Sequence, residues 1–178
     1  MFHYLTAEHP MPKSRTSQLI YTVVLNRAFL LFPLVLICLL VTNITVEDLR
    51  FLFGHMDEHG YQNIIDNEAT ITILLIGFGA VMDGRKILSK RAWDSKQDPN
   101  LEQHKMLNET SEYYGFMLIV IGISIEIVDQ LASYLRNFQV ELLMFEAWFS
   151  IVLNVVAIGV MLKAAYKIAL MDKQAHQL

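Results

Sequence analysis

Four long apolar runs, set apart by polar segments, leave this chain few ways to fold. A helix that crosses the hydrocarbon core of a bilayer needs about 20 mostly apolar residues, and each run approaches that length. The first spans Tyr21 to Val41, the second Ile64 to Met82, the third Tyr113 to Leu135 and the fourth Leu142 to Leu162. The runs are continuous and do not alternate apolar with polar residues, so they predict helices and not the strands of a membrane barrel. Hydrophobic residues make up 54% of the chain, above the roughly 45–50% of a soluble domain. In water that excess would lie on the surface as large apolar patches, which soluble proteins rarely tolerate. The expected fold is all-α. It is a single membrane domain over residues 1–178, an integral membrane four-helix bundle with a partly helical cytoplasmic loop, 83–112, between helices two and three.

The positive charges sort by segment. Eleven of the 14 lysines and arginines lie in the N-terminal lead, the loop between runs two and three, and the tail. The other two loops hold only Arg50 and Arg136, and Arg27 lies inside run one. Cations mark the cytoplasmic side of a membrane protein, so both termini and the middle loop are expected in the cytoplasm, in a plasma membrane or a bacterial inner membrane. The first apolar core begins near Ala28, after a polar lead containing Pro10 and Pro12. It ends in Val41-Thr42-Asn43 with no small-residue cleavage pattern, which predicts a retained signal anchor. A net charge of −4 argues against nucleic acid as a partner. The lone cysteine, Cys38, makes neither an internal disulfide nor a thiolate metal site.

Ionisable groups inside a span are expensive, roughly 2.5–3.5 kcal/mol each at the centre on insertion scales, so those present need an account. In run three, Gly115, Gly122, Glu126, Asp129 and Ser133 share one helical face. In run four, Glu146, Ser150, Asn154 and Ala157 do the same, and in run two, Glu68, Thr72, Gly79 and Asp83. Small and polar faces are expected to turn toward one another, giving a bundle with a polar interior. Glu126 falls close to the middle of run three, with Asp129, Glu146 and Glu68 on its outer side. Clustered carboxylates in a low dielectric cannot all ionise. Glu126, Asp129, Glu146, Asn154 and Glu68 are therefore the candidate proton or cation site. The plainer alternative leaves Glu126 alone buried, protonated and bonded to a neighbour such as Asn154, with the other acids at the interface.

Two loop features complete the reading. His55 and His59 stand four apart, which on a helix places two imidazoles on one face as metal ligands. The plainer alternative is an acidic, solvated loop. On the cytoplasmic side, Arg85, Lys86, Lys90, Arg91 and Trp93 suit a surface of anionic lipid, or serve only as the topology signal and an interfacial anchor. Asp98-Pro99-Asn100 breaks the helix, and Asn100 is placed to cap the one leading into run three. No phosphate loop, catalytic triad or nucleotide fingerprint occurs. The first expectation is a non-enzymatic accessory or scaffolding subunit that meets lipid and either a protein partner or further copies of itself. The alternative is a proton- or cation-coupled transporter or channel. A membrane sensor or metal-dependent enzyme comes third.

Overall fold

The computed structural model describes residues 26–55, 58–92, 101–136 and 143–175, and the side chains within 26–55, 67–87, 105–135 and 143–170. Among the described residues there are four helices and no strand: α1 is Arg27–Leu52, α2 Glu58–Ala92, α3 Leu101–Arg136 and α4 Leu143–Ala175. Both α1 and α3 pack against α2 and α4, so the helices form a four-membered ring. We call the end where α1 passes to α2 the upper end, and the end where α2 passes to α3 the lower end.

Each helix buries a stripe at helical spacing. Asn26 caps α1 by accepting a 3.0 Å hydrogen bond from the Ala28 N–H. Leu30, Leu34, Ile37, Val41, Ile44 and Asp48 then turn inward. The outward faces remain apolar: Phe32, Leu39, Ile73, Phe116, Ile127 and Leu162 are all exposed. Apolar side chains thus lie outside as well as inside, unlike a water-soluble bundle, and the largely apolar core also holds buried polar residues such as Asp48, Glu68 and Arg85.

Two expectations are corrected here. The sequence predicts span one to end at Val41 and a loop to follow, but α1 continues to Leu52. The threonines after Val41 do not stop it, because Thr42 and Thr45 turn their hydroxyls back onto the carbonyls of Cys38 and Val41, each at 2.8 Å. The helix ends at Gly54, whose φ of 72° suits glycine, with the Phe53 N–H donating to the Leu49 carbonyl at 3.0 Å. The 83–112 loop is also largely helix, since α2 reaches Ala92 and α3 starts at Leu101.

Three helical stretches are long and apolar enough to cross a membrane: Arg27–Leu52, Lys105–Leu135 and Leu143–Leu170. The sequence predicts four. Among the described residues α2 is not included, because its unbroken apolar stretch runs only from Ala69 to Met82, between Glu68 and Asp83.

The closest helix pair is α2 with α3, and glycine makes it so. A Cβ at Gly115 would stand 2.6 Å from the Gly79 carbonyl oxygen and 2.7 Å from the Asp83 nitrogen. One at Gly79 would stand 2.7 Å from the Gly115 oxygen, and one at Gly122 2.7 Å from Ile76 Cγ1. Here backbone meets backbone, as small residues allow between membrane helices. The pairing of Gly79 with Gly115 and of Thr72 with Gly122 makes the two helices antiparallel and fixes their register.

Candidate functional site

Two buried polar layers lie inside the ring. In the upper layer Asp48 comes from α1, Glu68 from α2, and Glu146, Ser150 and Asn154 from α4. None is more than 4% exposed. Ser150 and Asn154 lie one turn apart, which stacks them on the inner face of α4. Asp48 lies one turn beyond Ile44 on the stripe that starts at Leu30, so the same periodicity that buries the leucines buries this acid.

Ser150 is the hub. Its Oγ lies 2.9 Å from Asp48 Oδ2 and within hydrogen-bond reach of Glu68 Oε1. Asn154 Nδ2 donates to Ser150 Oγ at 3.1 Å and reaches Glu68 Oε1 at 3.4 Å. Glu68 thus crosses the ring from α2 to α4, a helix it does not flank. Asp129 of α3 is half-buried and acts electrostatically on Asp48, as Glu146 does on Glu68. Among the described residues, Asp48 Oδ1 and Glu68 Oε2 are buried with no hydrogen-bond partner. Buried polar atoms are paired in the great majority of cases, so these two oxygens mark the layer as incomplete by itself.

The lower layer centres on Arg85 of α2, which is 1% exposed and donates from Nε to Asn108 Oδ1 of α3 at 3.1 Å. Arg27 of α1 is near enough to act on it. Just outside, Lys86 Nζ meets Glu112 Oε2 at 2.7 Å, and this carboxylate holds the ammonium above its ordinary range. Lys167 of α4 stands 5.7 Å over the Tyr114 ring, a cation–π distance. At about 1.5 Å per residue, Glu68 and Arg85 are about 25 Å apart. The bundle between them is packed with apolar side chains, among them Leu75, Met82, Leu118 and Met161, none more than 1% exposed.

Glu68, Glu146 and Asn154 therefore come together as the sequence suggests, with Asp129 at their edge. Glu126 does not join them. It is half-buried on the flank of α3 and accepts a 2.9 Å hydrogen bond from Gln130 one turn on. The expectation that Glu126 is the buried central acid is corrected on this point. Glu126 lies one turn beyond Gly122 on the same edge of α3, past the glycine contacts with α2, and there its side chain stays half-buried and bonds within its own helix. Asp48 falls in the loop that the sequence predicts after Val41, and the structure places it inside α1. Its signal was present in the spacing Val41, Ile44, Asp48, Phe51. Asn108 belongs to none of the patterns that mark candidate residues in the sequence, yet it is the acceptor for Arg85.

The histidine pair is not set up as a two-ligand helix face. His55 is exposed in the turn that closes α1, outside any helix. The side chain of His59 lies outside the described residues. Of the lipid-facing set, Arg85 is buried and does not face lipid, and Lys86 is engaged with Glu112. Arg85 follows Leu75 and Met82 on the inward stripe of α2, which decides its direction. Trp93 and the side chains of Lys90 and Arg91 lie outside the described residues. Among the described residues, no three histidine, cysteine or carboxylate side chains are placed to hold one metal ion. No family model, curated protein or solved structure matches this chain.

Proposed function

We propose that this chain is a small integral membrane protein of four crossing helices, with both termini cytoplasmic. Its upper polar layer binds a proton or cation whose movement it couples to transport or channel opening. The observation that carries this reading is the meeting of two buried carboxylates, from different helices, on one serine hydroxyl. Buried acids this close are unstable as two anions, and ionisable groups in membrane helices mark ion and proton pathways. The outward apolar faces support the bilayer setting. α2 supports the fourth crossing by turning Glu68 and Arg85 inward while Ile73, Leu74 and Val81 face out. Lys86 then falls near the cytoplasmic lipid surface, where cations are favoured.

The test is ion flux into vesicles reconstituted with the full chain, read by an internal pH-sensitive dye in sodium and in choline buffers. Wild type is expected to carry flux and Glu68→Gln to lose it while remaining folded. An inactive wild type, or an unaffected Glu68→Gln, would sink the reading.

A second reading, an accessory subunit of a membrane complex, draws on Glu126 and Gln130. Their pair sits on an outer flank at about the level of Glu68, and hydrocarbon offers such groups no partner. A protein neighbour would. A photocrosslinker at Gln130 should then capture a partner, and capture of lipid alone would remove this reading.

A further inference from the structure

Resting on the proposed ion site, we infer that its resident ligand is a single proton held between Asp48 and Glu68 across Ser150, and that this proton ties α1 and α2 to α4. The argument is one of counting. A serine hydroxyl has one proton to give and two lone pairs to receive with. Ser150 Oγ has three polar neighbours: Asn154 Nδ2 at 3.1 Å, Asp48 Oδ2 at 2.9 Å and Glu68 Oε1. Asn154 can only donate through Nδ2 and takes one lone pair. The hydroxyl proton goes to one carboxylate. The other carboxyl must donate into the remaining lone pair, so it must carry a proton. Two ionised carboxylates would leave one oxygen facing a hydroxyl lone pair in a dry interior, with nothing between them to bond.

The surrounding charges act in the same direction. Around the pair, α1 supplies Glu47, which bonds Arg50 at 2.8 Å on the same helix, α3 supplies Asp129 and α4 supplies Glu146. These neighbours are carboxylates, and each opposes a second negative charge on the pair. The oxygens left over, Asp48 Oδ1 and Glu68 Oε2, are buried and have no partner among the described residues. They give the proton a second oxygen on each acid and the incoming proton a place to land. A metal held by histidine, cysteine and carboxylate ligands is less suited to this geometry, since no three such side chains are placed to hold one ion among the described residues.

Binding is a simple step. A hydronium ion gives its proton to one carboxylate: one O–H bond of the hydronium breaks, one O–H bond forms on the acid, and a water molecule is left. Release leaves two anions on one hydroxyl and removes one of the links that hold α1 and α2 to α4. The same event that moves the ion therefore loosens the ring at its upper end.

The test is infrared difference spectroscopy of the full chain in nanodiscs of phosphatidylcholine and phosphatidylglycerol, titrated with pH in choline buffer and again in sodium buffer. A protonated-carboxyl carbonyl band is expected in the neutral range in both buffers. It should be lost in Asp48→Asn and in Glu68→Gln and kept in Glu126→Gln. Ser150→Ala retains both acids, and should shift the band and separate the titration into two steps; this variant decides the matter if an acid variant does not fold. A band that persists in both acid variants, or that disappears when sodium replaces choline at constant pH, overturns the proton assignment. Sodium-sensitive flux would then leave the ion-coupled reading standing. The expected band in a protein that carries no flux would uphold the shared proton and reject transport.

Discussion

At the lower end of the bundle a buried guanidinium meets an amide oxygen, Arg85 with Asn108. At the upper end two buried acids meet one hydroxyl. Both layers place charge where water is excluded, and both draw on α2. They differ in chemical balance. Arg85 is a donor facing an acceptor, and that match holds at any ordinary pH because a guanidinium keeps its protons. Asp48 and Glu68 are two acceptors on one hydroxyl, and the match exists only while one proton is present. The lower layer is thus a fixed structural contact, and the upper layer has two states. The apolar packing around Leu75, Met82 and Leu118 separates them, so a change above need not disturb the contact below.

Breaking the seam that aligns both layers should have the largest effect. Gly115→Leu pushes a side chain into the Gly79 carbonyl and the Asp83 amide, backbone atoms that cannot step aside. Overpacking of this kind costs about 1–3 kcal/mol and occasionally more, and thermal unfolding in detergent should show it. Gly77→Ala is the matched control. A Cβ there meets nothing within 4 Å, and the gain in helix propensity is about 0.5–1 kcal/mol, so it should leave stability level or slightly raised. Equal losses in the two variants would mean that the glycine contact does not set the register.

Next comes the lower layer. Arg85→Met should cost about 1–3 kcal/mol, the penalty for leaving the buried Asn108 oxygen without its donor, and that cost should be the same across neutral pH. The upper layer should behave differently. Its native state holds a proton that exposed acids release at neutral pH, so wild-type stability should fall as pH rises through the neutral range. Glu68→Gln should flatten this dependence while changing stability by about 1 kcal/mol at the pH where the site is protonated. Glu126→Gln should leave the slope intact, and a slope lost there would move the titrating site to α3.

The smallest effect belongs to Lys86→Met. Its ion pair with Glu112 is open to solvent, and such pairs contribute little. Glu112 raises the Lys86 pKa, so any stabilisation is present below the ordinary lysine value and is lost as pH rises through the raised one. No change in unfolding temperature is expected near neutral pH. A clear loss would make this pair part of the lower layer and not a solvated neighbour of it.

Much of the architecture was legible in the chain. Apolar runs of near-membrane length predict helices, and the small and polar residues spaced along runs two to four predict inward faces. Glu68, Glu146 and Asn154 were found this way. Asp48 escaped because Thr42 and Asn43 look like the end of a span, and two threonine hydroxyls bonded to their own helix are invisible in composition. Glu126 has both the depth and the small, polar face that mark a buried acid, but neither says which side chains of the other helices reach it, and among the described residues only Gln130 of its own helix bonds it.

The sequence by itself determined that the fold is helical, where its hydrophobic segments lie, and that acids sit within those segments. These follow from local periodicity and from the cost of exposing apolar surface. Only the tertiary structure decided which acids meet. The glycine contact fixes the register of α2 against α3, and the packing of all four helices buries Glu68 against Ser150 while Glu126 stays half-buried and bonded to Gln130 of its own helix. Ser150 became the hub only when α1, α2 and α4 closed around it, because a hydroxyl's one proton matters only once its neighbours are known.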